Sequence, residues 1–126
     1  MSEANDGSDG RSGSGGGDVS GVRIQRMREM VDRFPEDARG RYFLAHELFR
    51  SQDWAGAAEQ FENYLRLAPD DEGSGFKSYG LCLERLGRPG DAAESYRHGI
   101  DHAERHHHAG LAEEIRGLLS DLEDSA

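Results

Sequence analysis

The sequence has a single cysteine, no long apolar run and fewer basic than acidic residues. With one cysteine, Cys82, no internal disulfide can form. It lacks the apolar run of about 18 residues that a membrane helix needs. It also lacks the start of a signal peptide, in which basic residues precede an apolar run. We therefore expect a soluble, cytoplasmic protein. Because 15 basic residues stand against 25 acidic ones, we expect neither nucleic acid nor a membrane as partner. A protein or peptide partner is the simpler expectation.

Large apolar side chains are also missing from the first eighteen residues. After Met1, residues 1–18 contain mainly Gly, Ser, Asp and Asn, with four acidic residues and one arginine, a net charge of −3. Such a segment cannot bury enough apolar surface to offset the entropy of ordering, so we expect a disordered tail. Residues 19–126 keep −7 of the chain's net charge of −10 and have the length of one domain.

Two segments of this domain repeat with a spacing of 35 residues. Within each copy, apolar residues recur every three or four positions, first in one stretch and then in another, which predicts a pair of helices. Small residues at matching positions would let the paired helices approach closely. In the order of the chain, the first copy contains Arg41, Leu44, Ala45, Leu48, Ala57 and Phe61, and the second contains Phe76, Tyr79, Gly80, Leu83, Ala92 and Tyr96.

Residues that start and stop helices lie between these stretches. Asp53 is a candidate N-cap for the second helix of the first pair, and Pro89 suits the first turn of the second helix of the other pair. Ala68 and Pro69 end the first pair, because the residue before a proline disfavours helix. The sequence therefore predicts two helical hairpins in succession.

This repeat resembles the signature of the tetratricopeptide-repeat (TPR) family, in which a large residue precedes Leu and Gly or Ala, and Ala, an aromatic residue and Pro follow. The resemblance implies an all-α, solenoid-like array of hairpins that binds proteins, without catalysis or a cofactor. The sequence departs from the family at three places. Arg41 stands where Trp is usual, Glu104 replaces the second Pro, and the linker 72–75 (Glu-Gly-Ser-Gly) predicts a loose connection.

The flanking segments extend the array by one helix on each side. From Val22 to Phe34, apolar residues have helical spacing, and Pro35 follows Met27 by eight residues, as Pro69 follows Phe61. This helix resembles the second half of a preceding repeat. Toward the other terminus, an apolar stripe among acidic residues, typical of a capping helix, consists of Leu111, Ile115, Leu118, Leu119 and Leu122. We therefore expect about six helices between residues 20 and 123.

The family resemblance also implies a binding site, because the first helix of each TPR hairpin lines a concave groove. The candidates here are mainly cationic and aromatic, in an acidic chain, which favours a partner with an acidic segment. Alternatively, Tyr42, Phe49 and Leu81 belong to the core and the arginines are merely solvated. The candidates are Arg39, Tyr42, His46, Phe49, Arg50, Lys77, Leu81 and Arg85.

Two other functions remain open from the sequence. An exposed N-terminal helix could pair two copies of the chain through Val22, Met27 and Met30. Histidines at i, i+4 and i+8 could bind a metal on one helix face, although no further ligand pattern accompanies them. They are His98, His102 and His106, followed by His107 and His108. Acidic pairs such as Glu113-Glu114 and Asp70-Asp71 read as helix starts or exposed faces, so no catalytic group is expected.

Overall fold

The computed structural model describes residues 16–125, and this part of the chain folds into six α-helices with no strand. This confirms the predicted all-α class, the hairpin order and the number of helices. The helices are α1 (Gly16–Arg33), α2 (Ala38–Arg50), α3 (Trp54–Leu67), α4 (Ser74–Arg85), α5 (Pro89–Arg105) and α6 (Ala109–Ser125).

Helix α1 begins inside the segment that was predicted as a tail. Its first residue is Gly16, so residues 16–18 of the predicted tail are helical, and residues 1–15 lie outside the described part. None of the helices between residues 16 and 125 is both long and apolar enough to cross a bilayer.

Side-chain caps and a first-turn proline start three of the helices, and the starts at Asp53 and Pro89 were predicted from the sequence. The carboxylate of Asp37 accepts a hydrogen bond from the backbone N–H of Arg39 at the start of α2. Asp53 accepts one from the N–H of Gly56 at 2.9 Å and so caps α3. Pro89 is the first residue of α5, where its missing N–H would have no partner.

Three of the helices end in the same left-handed turn. After α2, α4 and α5, one residue takes a positive φ, and the N–H of the next residue donates to a carbonyl in the last helical turn at 2.8–2.9 Å. This pairing closes a helix with a short, sharp reversal and gives the hairpins compact loops. The residues with positive φ are Gln52 (64°), Gly87 (73°) and His107 (61°).

The helices pack in chain order, as in a solenoid. The extensive contacts join α1 to α2, α2 to α3, α3 to α4, α4 to α5 and α5 to α6. Two apolar clusters form the core, with Phe61 fully buried in the first and its repeat counterpart Tyr96 fully buried in the second. Each repeat therefore buries one large aromatic side chain between its helices.

The small residue at the matching position of the second repeat makes room for this aromatic ring. A methyl group on Gly80 would overlap the ring of Tyr96. The hydroxyl of Tyr96 donates to the carboxylate of Glu84, and burial together with this hydrogen bond raises the pKa of Tyr96. Glycine at position 80 therefore sets the distance between α4 and α5.

Two departures from the family pattern carry contacts of their own. The guanidinium of Arg41 donates to the carbonyl of Pro35 at 3.2 Å and to Oε1 of Gln60 at 3.1 Å, so it joins the α1–α2 turn to α3. Glu104, at the position of the missing proline, forms an ion pair with Arg116 of α6. Both polar residues link one helix pair to the next element.

The linker between the two hairpins is tightly held, so the expectation of a loose connection at 72–75 was wrong. Asp71 is buried beside the start of α4, so of the two positions expected for the Asp70-Asp71 pair, a helix start or an exposed face, only the helix start fits this residue. Its Oδ2 accepts hydrogen bonds from the N–H groups of Gly73 (2.8 Å) and Gly75 (2.9 Å), and its Oδ1 accepts one from Tyr64. This carboxylate and that of Glu72, which accepts from the N–H of Ser74 at 3.0 Å, together fix the start of α4.

Candidate functional site

Candidate residues from α2 and α4 come together around Trp54, the first residue of α3. The ring of Phe49 meets the Trp54 ring edge to face, with centroids 5.1 Å apart, and the guanidinium of Arg85 lies 5.0 Å from the Trp54 centroid. Both are favourable geometries for an aromatic pair and for a cation over an indole. Trp54 was not among the predicted site residues, although an aromatic residue directly after the N-cap Asp53 is a usable signal.

A second cluster of aromatic rings lies about one turn earlier in α2, around His46. Its ring packs 4.5 Å from that of Tyr42 and 5.1 Å from that of Phe61, measured between centroids. Within the described residues, the buried Nε2 of His46 has no hydrogen-bond partner. Burial lowers the pKa of His46, and the positive charge of Lys77 on α4 lowers it further. His46 is therefore neutral near pH 7.

The remaining candidates of this region combine core packing with partial exposure. Tyr42 and Phe49 are half-buried against the first apolar cluster, and Leu81 is half-buried against the second. Lys77 places its Nζ 3.0 Å from a carboxylate oxygen of Glu114 on α6. We call this region the α2–α4 surface and define it by Tyr42, His46, Phe49, Trp54, Lys77, Leu81 and Arg85.

The other two candidates, Arg39 and Arg50, lie beside α1. Arg50 lines a pocket at the C-terminal end of α2, together with Arg23 and Glu47, whose side chains form an ion pair at 3.1 Å. Arg39 lines a larger groove near the start of α2. The eight candidates therefore divide between the α2–α4 surface, with six of them, and the side of α2 that faces α1, with two.

This larger groove runs between α1 and α2 and has a volume of about 780 Å³. Its apolar side chains are unusually open: Val22, Met30, Phe34 and Phe43 each expose at least half of their surface. Phe43 was not singled out in the sequence, although it falls outside the Leu44 and Leu48 spacing of the core. We call this the α1–α2 groove and define it by Val22, Arg23, Arg26, Met27, Met30, Phe34, Asp37, Arg39, Gly40 and Phe43.

The histidines considered as metal ligands have separate surroundings. His98 packs against the ring of Phe76, and His102 packs on the same ring while its Nδ1 lies 2.8 Å from the carbonyl oxygen of Asp71. His106 approaches Asp70 with its Nε2, at 3.3 Å. Among the described residues, no three His, Cys, Asp or Glu side chains are grouped as metal ligands would be. The three histidines therefore join α5 to α4 and to the linker that precedes α4.

The single thiol lies inside the array. Cys82 is completely buried in the first apolar cluster, and burial raises its pKa to about 12. The thiolate, which is the nucleophilic form, is therefore scarce at neutral pH. Cys82 therefore packs as a small apolar side chain of the core.

Comparison with known proteins supports the same architecture. The sequence matches no protein-family model and no curated protein sequence. Among solved structures, a tetratricopeptide repeat domain protein from Salinibacter ruber is 30% identical over 71% of this chain and 90% of its own, with a TM-score of 0.64. The chain belongs to the TPR family. The resemblance expected from the 35-residue repeat is thereby confirmed.

Two further TPR structures share the fold at lower identity. The TPR2B domain of yeast Sti1, solved as a complex with pHsp70, is 17% identical, covers 86% of each chain and has a TM-score of 0.75. The MamA protein is 20% identical over 83% of this chain and 59% of its own, with a TM-score of 0.64. In this TPR chain, α2–α3 and α4–α5 are the full hairpins, and α1 and α6 flank them.

Proposed function

We propose that the chain is a protein- or peptide-binding TPR module without catalytic activity, and that its partner binds the α2–α4 surface. The observation that carries this proposal is the meeting of the first helices of both hairpins around Trp54, through Phe49 and Arg85. Aromatic side chains and arginine are the residues that contribute most to binding at protein interfaces. The Sti1 TPR domain, solved as a complex with pHsp70, lends support by analogy.

The charges of this surface favour a partner with an acidic segment. Arg85 is exposed and can form charge-assisted hydrogen bonds with a carboxylate while it keeps its contact with Trp54. Lys77 already has Glu114 at 3.0 Å, so an incoming carboxylate would have to compete with α6 there. His46 adds no charge to this surface, because its pKa is lowered, and its Nε2 is buried. We therefore expect apolar anchors near Phe49 and one main ionic contact at Arg85.

Panning a random-sequence peptide library against the full chain tests this proposal. The enriched sequences would be made as synthetic peptides, and Trp54, the only tryptophan of the chain, would report their binding by fluorescence. We expect acidic peptides with apolar residues, whose affinity falls at least about tenfold in the Arg85→Glu variant. Arg105→Glu, a matched reversal of an exposed arginine on α5, should leave the affinity unchanged.

The opposite pattern would count against the α2–α4 surface. If Arg85→Glu and Arg105→Glu had equal effects on every enriched peptide, the partner would bind elsewhere on the array. A location in the cytoplasm remains a prediction, and fractionation of the native cell tests it directly.

A further inference from the structure

The α1–α2 groove is a second candidate interface, on a different face from the α2–α4 surface. Helix α1 has extensive contacts only with α2 among the described residues, whereas each of the helices α2 to α5 packs against two neighbours. The side of α1 that lacks a neighbour carries Val22 and Met30. Phe34, directly after α1, and Phe43 of α2 complete the apolar lining. Contiguous exposed apolar side chains of this kind commonly mark an interaction site.

The dimensions of the groove suit one more helix. Val22 and Phe34 mark its two ends along α1, and twelve residues of helix extend over about 18 Å, or roughly three turns. Gly40, on the α2 side, also lines the groove and has no side chain to narrow it. A helix that presents an apolar stripe over three turns would bury the exposed halves of Met30 and Phe43.

The rim of the groove is positive in a chain whose net charge is −10. Arg23, Arg26 and Arg39 line it, against a single acidic residue, Asp37. Arg23 is paired with Glu47, and the carboxylate of Asp37 caps α2, so Arg26 and Arg39 define the charge that an incoming helix meets. Complementary charge at a rim favours acidic residues on that helix.

Three occupants supplied by this chain or a second copy of it fit this surface poorly. A twofold pairing of grooves would bring the arginines of both copies into one interface, which like charges oppose. Helix α6 of another copy is acidic, but its leucines, among them Leu118 and Leu122, already pack against the second apolar cluster. Residues 1–15 contain no large apolar side chain after Met1 with which to fill the groove.

We propose that the α1–α2 groove binds an amphipathic helix of a protein partner, with its apolar stripe on Met30 and Phe43 and its acidic flank on Arg26 and Arg39. This site shares no residue with the α2–α4 surface, so the two can be substituted separately. The chain would then engage a short acidic segment on one face and a helix on the other.

Two matched peptides test the proposal on the full chain. The first has the sequence of residues 109–125, which as a free peptide offers an apolar stripe with five acidic residues and one arginine. The second has lysine at those five acidic positions and the same stripe. Fluorescence anisotropy should show the acidic peptide binding at least about tenfold more tightly than the basic one. Equal affinities, or no binding of the acidic peptide, would overturn the proposal.

Variants of the groove place the binding site. Phe43→Glu should weaken the acidic peptide at least about tenfold, and Leu86→Glu, a matched change at another exposed apolar residue, should not. Arg26→Glu combined with Arg39→Glu should reverse the preference, so that the basic peptide binds more tightly. If none of these substitutions changed the affinity, the peptide would bind elsewhere, for example on the α5 face that α6 normally covers. That result would overturn the proposal.

Sedimentation velocity of the chain alone tests whether a second copy of the chain occupies the groove. A monomer at all concentrations is the expected result. A dimer that Phe43→Glu dissociates and Leu86→Glu leaves intact would identify a second copy as the occupant and would also overturn the proposal. Neither result bears on the α2–α4 surface, which is tested separately by Arg85→Glu.

Discussion

The hydroxyl of Tyr64 donates a hydrogen bond to Oδ1 of Asp71 at 2.6 Å, and this contact joins the last turns of α3 to the linker that starts α4. Burial raises the pKa of Tyr64, and the hydrogen bond to Asp71 raises it further, so the phenol stays protonated as a donor. The second carboxylate oxygen of Asp71 accepts from Gly73 and Gly75. One buried acid therefore sets the angle at which the second hairpin follows the first.

A double-mutant cycle measures the strength of this contact. Tyr64→Phe should lower the free energy of unfolding by about 1–2 kcal/mol, and Asp71→Ala by about 2 kcal/mol or more because it also leaves two buried N–H groups unpaired. Since the two residues share one bond, the double variant should lose about 1 kcal/mol less than the sum of the single losses. Urea unfolding followed by circular dichroism gives these values, and strictly additive losses would contradict the coupling.

The close approach of α4 and α5 at Gly80 predicts opposite effects for two glycine substitutions. Gly80→Ala should destabilise the chain by about 1–3 kcal/mol, because the new methyl group meets the fully buried ring of Tyr96. Gly117→Ala should stabilise it by about 0.5–1 kcal/mol, because Gly117 lies within α6 and its Cβ would point into open space. A urea midpoint that rises for both variants would show that the backbone near Gly80 moves aside to admit the methyl group.

The hairpins could be predicted because local signals agree with the packing. The 35-residue spacing of Phe61 and Tyr96 identified the two largest side chains that the structure buries completely, and Asp53 and Pro89 marked helix starts. Such positions depend on helical period and cap chemistry, both of which are readable in one chain. The spacing of apolar residues and the helix-capping residues were therefore sufficient to predict the fold.

The linker and the surfaces could not be predicted in the same way. Aspartate is usually exposed, and only its contacts with Tyr64, Gly73 and Gly75 make the burial of Asp71 favourable. The placement of Arg39 beside α1 depends on how α1 crosses α2, which no local pattern encodes. A signal existed at 71–75, since two glycines follow the acid at positions where their N–H groups can reach it.

The burial of Cys82 predicts slow thiol chemistry. With its pKa raised to about 12, the thiol should react with a disulfide reagent near pH 8 only when the array opens. We therefore expect the labelling rate to rise with urea below the unfolding transition. A variant that combines Cys82→Ser with Ser120→Cys, on the exposed side of α6, should react at once. Equal rates for the two proteins would mean that the first apolar cluster admits the reagent without unfolding.

The lowered pKa of His46 predicts a loss of stability in mild acid. Burial and the charge of Lys77 keep the folded pKa below the ordinary value of 6.5, so between these two pKa values the unfolded chain binds more protons than the folded one. The free energy of unfolding should therefore fall as pH decreases below 6.5, and this contribution should level off below the folded pKa.

Comparing two histidine variants isolates this effect from the other titrating groups. Each proton taken up on unfolding changes the stability by at most about 1.4 kcal/mol per pH unit. His46→Gln should therefore lose less stability than wild type between about pH 7 and pH 5, in urea titrations at several pH values. His98→Gln, a matched change at an exposed histidine, should follow the wild-type curve. If His46→Gln followed that curve too, the ring would be protonated equally well in the folded chain, and the α2–α4 surface would gain a positive charge in acid at no expense to stability.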